Sequence, residues 1–208
     1  MSKLNVKNLA LAGIIGPLIF TVVIIVNASL RSDYNHMSQF ISALGATNTP
    51  HAAFINYAGF ITFGLLMVAF AISLFILLPK NTGTRIGSVG ILFFGTGIFL
   101  AGVFSCDAGC PLEGSITNNL HHRISALAFI SGIISTGVLG FSFKKLSEWR
   151  SIWLYSIITF AISLVLLVVM INSFETRIYT GLWQRLLLFT LFAWLVRLAL
   201  KIINSSNE

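Results

Sequence analysis

The chain has 208 residues, 56% hydrophobic and only 9% charged. A soluble domain averages about 45–50% apolar and about 25% charged residues, so a fold of this size in water could not hide so much apolar side chain; lipid is the implied solvent. The formal net charge of +7 would suggest nucleic acid in a soluble protein, but Lys and Arg sit here in short connectors between apolar runs. That placement reads as topology signals and contact with anionic headgroups, which argues for membrane lipids as partners and against nucleic acid.

Six apolar segments, at about residues 9–30, 53–78, 86–105, 122–143, 152–172 and 182–203, are each long enough for a bilayer core that needs about 20 helical residues. Lys3 and Lys7 before the first run look briefly like a signal peptide, but the run exceeds the roughly 7–15 residues of such a segment and no A-x-A-like site follows, so it reads as a retained helix. The expected fold is one all-α, six-transmembrane-helix bundle over residues 1–208. Nine of the 13 basic residues (Lys3, Lys7, Lys80, Arg85, Lys144, Lys145, Arg150, Arg197 and Lys201) share one side if the N-terminus is inside. Arg31, Arg123, Arg177 and Arg185 fall on the other, which predicts a multi-pass cell-membrane protein with both termini cytoplasmic. Gly132, Thr136 and Gly140 on the fourth helix, and Gly97 and Ala101 on the third, form small-residue rows suited to close helix approach.

The outer connectors carry the chemistry-bearing residues. Residues 34–44 read as a short amphipathic helix, with Met37, Phe40, Ile41 and Leu44 on one face and Asn35, Ser38, Gln39 and Ser42 on the other. Ser32 or Asp33 can cap its start and Gly45 can end it; it would lie in the interface or tuck back among the helices. Cys106 and Cys110 lie outside, where oxidation is permitted, so a disulfide closing their loop is expected, presenting Asp107 on a rigid tip. The spacing from these cysteines to His121 and His122 matches no standard zinc pattern. His121-His122-Arg123 opens the fourth span, His122 sharing a face with Ser125. Gly181-Leu182-Trp183-Gln184-Arg185 opens the sixth, with Trp183 as an interface anchor and Arg185 either snorkelling or facing the bundle to hold an anion.

With this topology the second, fourth and sixth helices all begin outside, and their N-termini carry partial positive charge and free N–H groups. Arg123 and Arg185 near two of those ends would suit a phosphate or carboxylate. His122, Asp107, Asp33 and His36 would complete a site for acid–base chemistry or for a divalent metal, with His36, His122 and Asp107 as candidate ligands. His122 would act as general base or metal ligand, oriented by Asp107 or Asp33; Ser38 or Ser42 is the candidate nucleophile. The chemistry would be hydrolysis or transfer on a lipid. The competing reading is a non-catalytic permease, lipid-organising protein or partner-binding subunit whose polar residues are structural. Convergence of these side chains in one pocket separates the two readings.

Asn35-His36-Met37-Ser38-Gln39-Phe40-Ile41-Ser42-Ala43-Leu44-Gly45, Phe104-Ser105-Cys106-Asp107, His122 with Ser125-Ala126, and Gly181-Leu182-Trp183-Gln184-Arg185, in that order, resemble the six-helix bacterial and archaeal membrane family catalogued as domain of unknown function 998. The likeness spans nearly the whole chain and implies the six-helix fold but no particular reaction; His121 and Cys110 match no position of its pattern. Ile41–Gly45 with Pro50, and His122, are also distantly similar to the Frag/DRAM/Sfk group of eukaryotic six-helix proteins, which implies a link to lipid.

Several classes fit poorly. All four histidines (His36, His51, His121 and His122) lie on one side, which disfavours a haem carrier with ligands at both faces. No lysine sits mid-span for a retinal Schiff base, and no Asp, Glu, Lys or Arg lies near the middle of a span, as proton-coupled transport usually requires. Neither a nucleotide-binding loop nor a G-x-S-x-G elbow is present.

Overall fold

The computed structural model describes residues 3–205. Among them the regular structure is helical, and six helices are long and apolar enough to cross a membrane: α1 (Val6–Ser29), α2 (Ala52–Leu77), α3 (Thr82–Val103), α4 (Ile116–Lys144), α5 (Ser147–Asn172) and α6 (Thr180–Ser205). They alternate in direction and pack in chain order, with α6 returning against α1. One end of the bundle carries the tight turns after α2 and α4. The other carries the three longer connectors and is called here the long-loop end.

Local chemistry sets the helix ends. Asn81 and Thr84 form a reciprocal capping box at the start of α3. Ser115 caps α4, its hydroxyl accepting from Asn118 N at 3.2 Å. The fourth helix therefore begins six residues earlier than the apolar run suggests, and His121, His122 and Arg123 lie more than a turn inside it. Hydropathy marks only the part that faces lipid, whereas the polar opening turns of α4 are stabilised by caps and by the neighbouring loop.

Close approach and aromatic packing hold the bundle together. A Cβ on Gly64 would lie 2.5 Å from Phe99 N, so α2 and α3 touch backbone to backbone. The small-residue row of α4 serves two partners: Gly132 faces Phe94 of α3, and Gly140 faces Ile157 of α5. Phe20, Phe63 and Phe192, from α1, α2 and α6, interlock with ring centroids 5.1–6.1 Å apart and fill the middle of the bundle. The outermost helix is α5: 22% of its apolar window is buried, against 44–50% for the other five.

The first connector departs from the expected amphipathic helix. Only Ile41–Leu44 is helical, as a single buried 3-10 turn that Gly45 terminates. Side-chain bonds replace the helical ladder upstream: Asn35 Oδ1 accepts from Met37 N at 2.8 Å and Ser38 N at 3.2 Å, and Asn35 N donates to Gln39 Oε1 at 2.8 Å. Ser42 belongs to the buried set instead of a solvated face, and Met37 is exposed. The segment is tucked among the helices. Asn56, in a π-helical stretch of α2 (Ile55–Ile61), clamps it by donating to Gly45 O at 2.9 Å and Ser105 Oγ at 3.0 Å.

Candidate functional site

A cavity of about 410 Å³ lies between the phenylalanine plug and the long-loop end. Its wall is mostly apolar and draws on all six helices. Phe20 of α1 and Phe60 of α2 contribute to it, as do Ile98 and Ala101 of α3, Phe129 and Ile130 of α4, Met170 and Ile171 of α5, and Leu188 of α6. The polar lining consists of Ser42, His121, His122, Arg123, Ser125 and Gln184. Arg123, Ala126 and Ile130 on α4 and Ile171 on α5 are exposed while lining the hollow, so it opens between α4 and α5. Those two helices pack closely further down, at Gly137 against Phe160 and Gly140 against Ile157. At the mouth, Leu112, His122 and Arg123 also border a shallow polar groove completed by Glu113, Gly114 and Asn119.

Two histidines in sequence have different roles. His121 is 4% exposed, and its Nδ1 lies 3.0 Å from Ala101 O and 2.8 Å from Phe104 O, carbonyls at the end of α3 that lack helical partners. Both neighbours are acceptors, so Nδ1 carries the proton and Nε2 keeps its lone pair in the neutral ring. No hydrogen bond within the described residues engages Nε2, which faces the cavity. His122 holds Pro111 O through Nε2 at 2.8 Å. On α6, Gln184 is 9% exposed, and its Oε1 accepts from Ile41 N at 2.7 Å, anchoring the 3-10 turn.

The cavity joins three of the expected site residues, Ser42, His122 and Arg123. The Ser42 hydroxyl rests 3.4 Å from Cys110 Sγ, and with Cys106 and Cys110 bridged, at a Cα separation of 5.1 Å, the hydroxyl is the donor. The others lie elsewhere. Asp33 pairs with Arg31 at the surface, which holds its carboxyl below the usual range. Asp107 does not project from a rigid tip. It accepts from both the backbone N and the hydroxyl of Ser115, each at 2.7 Å, bonds that tie it to the start of α4 and lower its pKa. His36 is exposed, packs edge-on against Tyr34, and has its pKa lowered by partial burial and by Arg185. Ser38 and Trp183 are half-buried outside the cavity.

Arg185 faces inward but is occupied. Its guanidinium donates to His36 O at 2.7 Å, Gly181 O at 2.8 Å and Gln39 O at 3.2 Å, and to the Tyr34 hydroxyl, which itself donates to Phe40 O at 2.9 Å. It staples the first connector to α6 and is not free to hold an anion. Among the described residues no three of His, Cys, Asp and Glu come together as a metal ligand set.

Sequence reasoning passed over His121, Gln184 and Arg177, whose guanidinium donates to Cys110 O at 2.7 Å and lies 4.9 Å over the Phe40 ring. A usable signal existed for the first: His121 and Ser125 are four apart, the other spacing that places two side chains on one helix face.

No curated protein and no solved structure matches the chain. The second likeness noted above, to the Frag/DRAM/Sfk group, therefore carries nothing further. The family model described as "Protein of unknown function (DUF998)" matches residues 14–201, and the chain is a multi-pass membrane protein of that family.

Proposed function

We propose that this protein binds a membrane amphiphile, with the apolar chain in the cavity and an anionic head at Arg123. The observation that carries the reading is a hollow that is apolar within, polar at its mouth, and bordered by exposed residues of α4 and α5. Its volume of about 410 Å³ falls within the roughly 300–1,000 Å³ typical of ligand pockets. Arg123 is exposed, so its charge is available to a headgroup. The excess of basic residues at the tight-turn end supports a cytoplasmic position for that end and for both termini in a cell-membrane protein, with the cavity opening on the opposite side.

Binding is favoured over turnover because the only hydroxyl from the candidate nucleophiles in the cavity, that of Ser42, is engaged with Cys110 Sγ. A divalent metal finds no assembled ligand set among the described residues, so the reading routes no step through one. The test is native mass spectrometry of protein purified in mild detergent. The expected result is a co-purifying anionic lipid, lost in Ala126→Trp, which blocks the opening, and weakened roughly fivefold in Arg123→Gln, the scale of a solvent-accessible ion pair. A lipid complement unchanged by Ala126→Trp would overturn the reading.

A further inference from the structure

Resting on that reading, we propose that the inner wall of the cavity recognises a free hydroxyl on the ligand, so that the preferred ligand is a single-chain, hydroxyl-bearing anionic lipid of the lysophospholipid type. Three polar groups on the cavity wall are left without a hydrogen-bond partner among the described residues. His121 is almost wholly buried and presents Nε2 as an acceptor, because Nδ1–H is spent on the Ala101 and Phe104 carbonyls. Gln184, also more than nine-tenths buried, uses Oε1 for Ile41 N and keeps its amide N–H groups as donors on the cavity wall.

Ser125 is the third. Ser131, Ser135 and Ser142 of the same helix each return their hydroxyl to the carbonyl four residues back, at 2.7–2.9 Å. Ser125 makes no such bond and lines the cavity one turn from His121, about 6 Å along the axis. Ser125 is half-buried, and all three groups border the hollow, where a ligand can reach them. An acceptor, a donor and a hydroxyl on the wall of one apolar chamber are complementary to a group that both donates and accepts. A hydroxyl does this: it gives its proton to His121 Nε2 and accepts from Gln184. An ester or phosphate oxygen satisfies only the donor.

The rest of the ligand follows from the remaining surface. Arg123 is the one formally charged residue of the cavity lining itself, Glu113 bordering only the adjoining groove, so the head is anionic. The chamber lies near the small end of the usual range of pocket volumes, which suits one hydrocarbon chain in preference to two.

The test uses oleoyl lysophosphatidic acid and its analogue with hydrogen in place of the free hydroxyl, titrated against the full chain in detergent by native mass spectrometry. The expected result is a preference for the hydroxyl probe on the order of tenfold, the scale of a buried group left unpaired. It should vanish in His121→Asn, whose amide keeps a donor for the α3 carbonyls but lacks the Nε2 lone pair. It should shrink in Ser125→Ala, which breaks no intramolecular bond and should leave the fold intact. Equal affinity for both probes, or a preference that survives His121→Asn, overturns the hydroxyl subsite while leaving the anionic-amphiphile reading standing. Failure of both probes to bind overturns both.

Discussion

At the scale of single residues, the divide is between polar side chains occupied by the protein and those left open. Arg185 and Arg123 illustrate it. Both are arginines in the early turns of helices starting at the long-loop end, yet Arg185 is consumed by three carbonyls and the Tyr34 hydroxyl, whereas Arg123 is exposed at the cavity mouth. Replacing Arg185 with Leu should cost about 2 kcal/mol, because several partly buried acceptors lose a charge-assisted donor together. Thermal unfolding in detergent should show a lowered melting temperature, and affinity for an anionic lipid in the surviving folded protein should be unchanged. A loss of affinity without loss of stability would assign Arg185 to the ligand. His121 and His122, adjacent in sequence, divide in the same way: one turns a free ring nitrogen into the cavity, while the other engages Pro111 through its ring.

At the scale of elements, the loop joining α3 to α4 links parts that no single helix joins. Cys106 O accepts from Thr47 N at 2.8 Å, Cys110 Sγ meets the Ser42 hydroxyl, Cys110 O accepts from Arg177, and Pro111 O meets His122. The disulfide, between cysteines four apart, holds these anchors in register. Closing so short a loop contributes about 2 kcal/mol by chain entropy alone. The double substitution Cys106→Ser with Cys110→Ser should lower thermal stability by that order. It should also weaken lipid binding, because Leu112 and His122 would lose their fixed position beside Arg123. Reductant should reproduce the stability loss in the native chain and leave the double variant unaffected. The first connector shows the converse effect, in which local side-chain bonds and Gln184 override an amphipathic pattern and leave one 3-10 turn.

For the whole molecule, architecture and orientation rest on different physics. The bundle closes through small-residue contacts such as Gly64 on Phe99, and its alternation puts the tight turns and their lysines and arginines at one end. That end is expected in the cytoplasm. Single cysteines introduced at Lys145 and Tyr179 in a Cys106→Ser, Cys110→Ser background should react oppositely with a membrane-impermeant thiol reagent on intact cells, Tyr179→Cys labelling and Lys145→Cys not. The reverse pattern would invert the topology and face the cavity inward.

The sequence by itself determined the lipid solvent, the six spans, the family resemblance and the bridged cysteine pair. Each of these depends on local composition or short spacing: twenty apolar residues must bury their backbone polar groups as a helix wherever they sit in a bilayer. Only the tertiary structure decided which polar residues meet. Asp33, His36, Asp107 and Arg185 resembled a site because they share an end of the bundle, but Arg31 holds Asp33, Ser115 holds Asp107, the first connector occupies Arg185, and His36 stands exposed beside Tyr34. His121, Ser125 and Gln184 line one cavity because α4 begins earlier than its apolar run and because α6 and the first connector meet at Gln184. Hydrogen-bond satisfaction is a property of three-dimensional neighbours. A ring nitrogen left open to a cavity, the feature on which the hydroxyl subsite rests, has no signature in one dimension.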